Sequence, residues 1–312
     1  MASVDQEKGP RVSVIMNCLN GAQYLREAID SVFAQTYPDW EIVFWDNGSS
    51  DESAAIATSY GQRVRYFRSE ETYPLGKARN LALEQARGEY LAFLDCDDVW
   101  FPTKLEKQIA LFERNPNLGL VYCDALNVVD TIDRVESKAS DLRALYRGWV
   151  FEEILYFDII WMSAAVMRKG ALDHVGWFDT TYNIVEELDL YLRISEQYEF
   201  DFVDEPLSIY RLHSGNTVRD AGQRLKEKQA LYRHWLAKRP DIAVRRPELP
   251  GLLYFSLYSQ MARYHLGKGQ FVRFVLNAHK SLVSVRYRPG FIAGRLVRFL
   301  DRSVIKRRKL NF

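Results

Sequence analysis

Cysteine is scarce in this chain, with three (Cys18, Cys96 and Cys123) in 312 residues. An odd number without Cys-x-x-Cys spacing excludes a disulfide framework and a thiolate zinc site, and predicts a reducing compartment. No uncharged apolar run reaches the roughly 18 residues of a membrane span. The most apolar stretch, residues 148–167, is interrupted by Glu152, Glu153 and Asp158. The first ten residues carry Asp5, Glu7 and Lys8 and no apolar core, which predicts no secretory signal and a cytoplasmic, at most membrane-peripheral, protein. Gly48 and Gly76 build neither a Walker loop nor a GxGxxG motif.

Net charge is also nearly absent, at +1, but this is a cancellation. Residues 219–312 hold 22 Lys and Arg against 5 Asp and Glu, leaving 20 against 36 in residues 1–218. The acidic main region excludes a plain nucleic-acid binder. The basic remainder points to a polyanionic or membrane partner, or to charged helix faces that are solvated or pair with the acidic part.

The first 130 residues alternate strand and helix patterns. Strands are expected at 11–16, 39–45, 64–68, 90–94 and 120–127. Helices are expected at 22–35, 52–60 and 76–86, and after Pro102. Repeated βα units predict an α/β fold with a Rossmann-like, mostly parallel sheet and helices on both faces. Ligands of such sheets bind beyond the carboxyl ends of the strands, which selects the polar loops 17–20, 46–51 and 95–98. Further on, a strand at 161–167, helices at 169–175 and 186–197, and two strands at 200–203 and 207–210 split by Pro206 are expected. From 219 the pattern is helical, at 224–237, 252–266, 271–281 and 291–300.

Asp95, Asp97 and Asp98 crowd the end of an apolar strand. Adjacent carboxylates repel unless a cation joins them, and hard oxygen ligands suit Mg²⁺ or Mn²⁺ with phosphate oxygens completing the shell. A solvated acidic turn is the other reading. Glu186, Glu187 and Asp189 open a helix, where acids complement the dipole or where one serves as a general base.

The order of segments is more telling than any one of them. VSVIMNCLNGAQYLREAIDSVFAQTYPDWEIVFWDNGSSDES is followed by GKARNLAL, YLAFLDCDDVW, GWFD with VEELDLYLRI, and YRLHSGNT. This series, over residues 11–217, resembles glycosyltransferase family 2. The resemblance implies a GT-A catalytic domain at 1–218, with a nucleotide-binding half at 11–127 and an acceptor half at 128–218, followed by a basic helical domain at 219–312. It implies an inverting transferase of cell-surface polysaccharide or glycan synthesis. That enzyme would use a nucleotide-diphosphate sugar, a UDP-sugar first, a divalent metal, and a glycan or lipid-linked acceptor.

Residue by residue, the resemblance places Met16, Asn17, Leu19 and Asp46 at the nucleobase and ribose, with Gly76 and Arg79 near the base. Asp95 and Asp97 become the DxD pair, Asp97 the metal ligand with Asp95 and His213 beside it, and Arg211 a diphosphate contact. Glu187, with Glu186, becomes the catalytic base. Three departures stand out. Asn17-Cys18-Leu19-Asn20 replaces Pro-Thr-Tyr-Asn and removes an aromatic stacking platform. Asp46-Asn47-Gly48-Ser49 keeps only the first carboxylate of Asp-Asp-Gly-Ser. Glu186-Glu187 replaces Glu-Asp, so the base reaches one methylene further. A sugar nucleotidyltransferase and a non-catalytic nucleotide-sugar or carbohydrate-binding protein are the rival classes. The run Lys306-Arg307-Arg308-Lys309 and the aromatics Tyr254, Phe255, Tyr258 and Phe271 frame the possible contact with an anionic membrane.

Overall fold

A computed structural model describes residues 9–141, 144–157, 160–213 and 220–284. The expected helix at 291–300, the basic run at 306–309 and the boundary at 218 lie outside them. The chain forms two compact units, 1–216 and 217–312.

The first unit is built on one sheet, in the order β3-β2-β1-β4-β8-β6-β9-β5 with β7 paired to β6. Strands β1 (Val12–Cys18), β2 (Trp40–Asp46), β3 (Val64–Arg68) and β4 (Tyr90–Phe93) run parallel to one another. The short, largely apolar runs of β1, β2 and β4 need cover on both faces. Helices α1 (Ala22–Phe33), α2 (Ser53–Thr58) and α4 (Lys104–Arg114) bury Leu25, Ile29, Val32, Ile56, Leu105, Ile109 and Phe112 in one core with Val14, Met16, Ile42 and Phe44. Helix α3 (Leu75–Leu83) packs on β1 and β2. Gly88 is required by close approach, since a Cβ there would lie 2.5 Å from the backbone nitrogen of Ser13.

Parallel pairing does not extend through the whole sheet. β8 (Val166–Arg168) runs antiparallel to both β4 and β6 (Leu118–Val129), while β6 and β9 (Glu199–Leu212) are parallel. The second half is therefore mixed. The expected strand at 161–167 starts as a 3₁₀ turn, Met162–Ala164. The two strands expected around Pro206 are one continuous β9, because irregular register about Asp124, which faces Pro206, absorbs the missing N–H donor. Strands β5 (Val99–Trp100) and β7 (Val135–Lys138) are too short or too polar to show a sequence pattern. Helices α5 (Phe151–Phe157), α6 (Lys169–Val175) and α7 (Glu186–Ser195) complete the unit.

The second unit holds α8 (Ala221–Lys238), α9 (Asp241–Arg245), α10 (Leu249–Gly267) and α11 (Phe271–Ser284). Asp220 caps α8 by accepting the Gln223 N–H at 2.9 Å. Leu231, Trp235, Ile242, Leu253 and Leu257 are among its buried residues, and α10 and α11 form a hairpin through Gly269, whose φ is +68°. Among the described residues no helix is long and apolar enough to cross a membrane.

Candidate active site

The carboxyl ends of β1, β2 and β4 bring the three polar loops to one rim. The first two loops are tied to each other. Asn20, at φ +54°, accepts the Ser50 N–H at 2.9 Å and donates its own N–H to Ser49 Oγ at 3.0 Å. Asp51 accepts the N–H groups of Ala22 and Ser53, both at 3.0 Å. Asp46 is wholly buried and accepts from Ser49 N at 2.7 Å and from Tyr66 OH at 2.6 Å. Its carboxylate thus braces the loop. The Met16 side chain is fully buried in the core, so its backbone borders the rim. Asn17 is half-buried, and Leu19 is 46% exposed and open to a ligand.

The centre of the site is Arg79, which is 1% exposed. One nitrogen donates to Glu187 at 2.9 Å and to Glu186 at 3.2 Å, and another to Asp95 at 3.3 Å. Helix α3 delivers it: Gly76, one turn earlier, faces the first turn of α7, where a Cβ would sit in ordinary contact, 3.4 Å from Glu186 Cγ. Reciprocal hydrogen bonds between Asn80 and the Phe178 backbone, at 2.9 and 3.0 Å, lock this junction. Gly76 and Arg79, expected near the nucleobase, therefore form the joint between the DxD turn and the Glu186-Glu187 pair.

Electrostatics follow from this crowding. Burial, together with Glu186 and Asp95, pushes the Glu187 carboxyl up to about 7, against the downward pull of Arg79. Burial also raises Asp95, with Asp97 adding to it and Arg79 opposing. Asp98, fully buried, is pushed well up by burial and by Asp97 and Asp95. Of the two glutamates, Glu186 is closed in at 2% side-chain exposure, whereas Glu187 is 30% exposed. Only Glu187 can meet an incoming hydroxyl.

On the far side, His213 Nε2 and Asp97 Oδ2 lie 2.8 Å apart, and the imidazole packs on Tyr24 at 4.9 Å between ring centroids. Arg211 holds this corner from beneath. Buried at 2%, it donates through its side chain to the Asp97 carbonyl (2.8 Å), the Asp130 carbonyl (2.6 Å) and Glu27, and through its backbone to Asp98 Oδ1 (3.0 Å). Each guanidinium nitrogen has a protein acceptor, so in this structure Arg211 supports the turn that carries Asp97.

Among the described residues no three or more His, Cys, Asp or Glu side chains converge as a metal cage. Asp95 faces Arg79, which takes one of its oxygens at 3.3 Å. Asp97 and His213 still fit a divalent cation. One carboxylate and one imidazole stand side by side at a separation close to a coordination edge, leaving the remaining positions to diphosphate oxygens and water.

Several contributors have no sequence signal. Ser163, in the 3₁₀ turn, accepts the Asp95 N–H at 3.1 Å, and its carbonyl accepts Trp100 Nε1 at 2.6 Å. Glu27 and Tyr24 reach Arg211 from α1. The Tyr210 phenol is raised by burial first and by the charges of Asp98, Asp95, Asp97 and Glu187 next. A lone tyrosine in a strand is ordinary and leaves no sequence signal.

Comparison with known proteins places this geometry. The sequence pattern described as Glycosyl transferase family 2 matches residues 13–173. An uncharacterized glycosyltransferase of Rickettsia typhi is 32% identical over 242 residues, covering 73% of this chain and 72% of the relative. Another, of Methanocaldococcus jannaschii, is 28% identical over 239 residues, covering 74% and 81%. Staphylococcus aureus TarS (residues 1–349), solved with UDP-GlcNAc, superposes with a TM-score of 0.61 at 16% identity over 89% of this chain and 93% of that one. The Pyrobaculum calidifontis mannosyltransferase PcManGT, solved with GDP-Man and Mn²⁺, gives 0.57 at 19% identity over 96% and 81%. The fold is of the GT-A type, with a helical C-terminal region, and the chain belongs to glycosyltransferase family 2.

Proposed function

We propose that the chain is an inverting glycosyltransferase that moves a sugar from a nucleoside diphosphate donor, a UDP-sugar first, to an acceptor hydroxyl. Glu187 carries this reading. It is a partly open carboxylate, brought to about 7 by its surroundings and clamped at 2.9 Å by the same guanidinium that holds Asp95 of the DxD turn. A base of that strength is half ionised near neutrality, where a general base is most effective.

In the proposed reaction the acceptor O–H gives its proton to Glu187. The oxygen attacks the anomeric carbon as the bond to the diphosphate breaks on the opposite face. General-base help of this kind is worth about 10²–10⁴-fold. Arg79 fixes the direction of the Glu187 carboxylate and keeps it from rising out of the working range. Asp97 and His213 would hold Mg²⁺ or Mn²⁺, which when bound supplies neutralisation of the charge gathering on the leaving diphosphate. The Mn²⁺ in the mannosyltransferase neighbour supports this assignment. Asn17 and Leu19 border the nucleobase, with an aliphatic contact in place of an aromatic one.

The acceptor reading, a glycan or lipid-linked hydroxyl near an anionic membrane, is favoured by α11. Phe271, Val272, Val275 and Leu276 are exposed on it, within a region of net charge +17.

A thermal-shift series of UDP-, dTDP- and GDP-sugars with Mn²⁺, followed by nucleoside diphosphate release on acceptor addition, tests the proposal. Stabilisation by one donor class and acceptor-dependent release are expected. Stabilisation with no release across a broad acceptor panel would favour a binding protein.

A further inference from the structure

Two of the three cysteines meet at the donor rim. β1 and β4 are parallel neighbours, with Val12 opposite Tyr90 and Ile15 opposite Phe93, and Leu94 N donates to Ile15 O at 3.0 Å. Cys18 is the last residue of β1, and Cys96, the middle residue of Asp95-Cys96-Asp97, lies in the turn three residues past the end of β4. An independent measure comes from Gly21: a Cβ there would lie 2.8 Å from Cys18 Sγ and 2.7 Å from Cys96 Sγ. Both sulfurs thus fill the space a side chain at position 21 would occupy. The two distances bound their separation at about 5.5 Å, so a bond of about 2 Å closes with movement of the Cys96 turn toward β1. Cys96 is partly exposed, so a small oxidant can reach the pair, whereas Cys123 is buried elsewhere against the Ala164 carbonyl.

We propose that Cys18 and Cys96 form a dithiol site that closes to a disulfide when a small two-electron oxidant reaches the donor cleft. With a diazene oxidant the balance is complete. The two thiols give up two electrons and two protons, the S–S bond forms, and the N=N bond of the oxidant becomes an N–N bond carrying two hydrogens. The new bond ties the DxD turn to the β1 exit. Cys96 must turn toward Cys18, and Asp95 and Asp97 on either side of it move with the turn. That places Asp97 away from His213 and weakens donor binding, a consequence that rests on the function proposed above. The site's own chemistry does not depend on it.

The experiment treats the reduced full-length protein with diamide under native conditions. It counts thiols after denaturation, maps the cross-linked peptide by mass spectrometry, and titrates UDP with Mn²⁺ before oxidation, after it, and after dithiothreitol. The expected result is a fall from three free thiols to one, a peptide joining residues 18 and 96, and UDP affinity reduced about tenfold or more and restored by dithiothreitol. Three surviving thiols, or a bond to Cys123, would overturn the dithiol site. A formed Cys18–Cys96 bond with unchanged UDP affinity would overturn its effect on the donor. Should the reduced protein bind no nucleoside diphosphate, the functional reading fails while the thiol result stands. Cys18→Ala and Cys96→Ala keep the test open if oxidation destabilises the protein: each is expected to retain its full set of free thiols and its UDP affinity under diamide, and loss of either would count against the pair.

Discussion

Arg79→Met removes the cation that, among the described residues, Glu186, Glu187 and Asp95 share, at 3.2, 2.9 and 3.3 Å. The methionine fills similar space but offers no donor. Breaking a buried ion pair by deleting one partner costs about 3–5 kcal/mol, because the remaining charge stays desolvated. Glu186, at 2% exposure, bears most of this, whereas Glu187 and Asp95 can partly rehydrate. For a unit of this size such a loss lowers Tm by about 6–20 °C. The pH dependence has a definite sign. Without Arg79, ionised Glu186 and Glu187 destabilise the fold, and protonation removes that burden. The deficit of the variant should therefore narrow as pH falls from about 8 to about 5. Urea denaturation of both proteins across that range is the assay. A deficit below about 1 kcal/mol, unchanged with pH, would refute the view that Arg79 neutralises a desolvated carboxylate cluster.

Other outcomes follow from the same geometry. Asp97→Asn should abolish the Mn²⁺-dependent part of UDP affinity, and calorimetric titration giving equal affinity with and without Mn²⁺ in the unaltered protein would exclude the metal role. Gly88→Ala drives a methyl to 2.5 Å from the Ser13 nitrogen, a backbone atom that cannot swing aside, so it should cost about 1–3 kcal/mol in urea denaturation without changing donor specificity. Phe271→Glu with Leu276→Glu should reduce flotation with anionic vesicles several-fold, and equal flotation would separate α11 from any membrane role.

Much of the nucleotide half was legible in the sequence because short apolar strands and 3–4-spaced helices leave strong periodic signals. Asp95, Asp97, Glu187 and His213 stand out for a different reason, the order of five motif segments. What that route could not supply was burial. Asp46 and Arg211 read as ligand contacts, and in the structure Ser49 and Tyr66 engage the one, while Glu27 and the Asp97 and Asp130 carbonyls engage the other. These partners come from elements far apart in the chain and leave no local pattern. The Arg79 hub is hidden for the same reason, since Glu186 lies 107 residues away from it. The mixed second half of the sheet was misread where β8 is three residues long and where β9 passes through Pro206, because tertiary pairing overrides local propensity there.

The most direct test of the central claim is the pH dependence of turnover in the unaltered protein and in Glu187→Gln, measured as acceptor-dependent nucleoside diphosphate release. The amide keeps an acceptor for Arg79, so folding and donor affinity should persist. Protonated Glu187 contributes stability that is complete below its ordinary pKa and fades as pH rises through about 7, so activity and stability should trend oppositely across that interval. The account predicts turnover that climbs through an apparent pKa near 7 in the unaltered protein, and a variant slower by about 10²–10⁴-fold that lacks this limb. A Glu187→Gln variant with undiminished turnover and the same limb would contradict it.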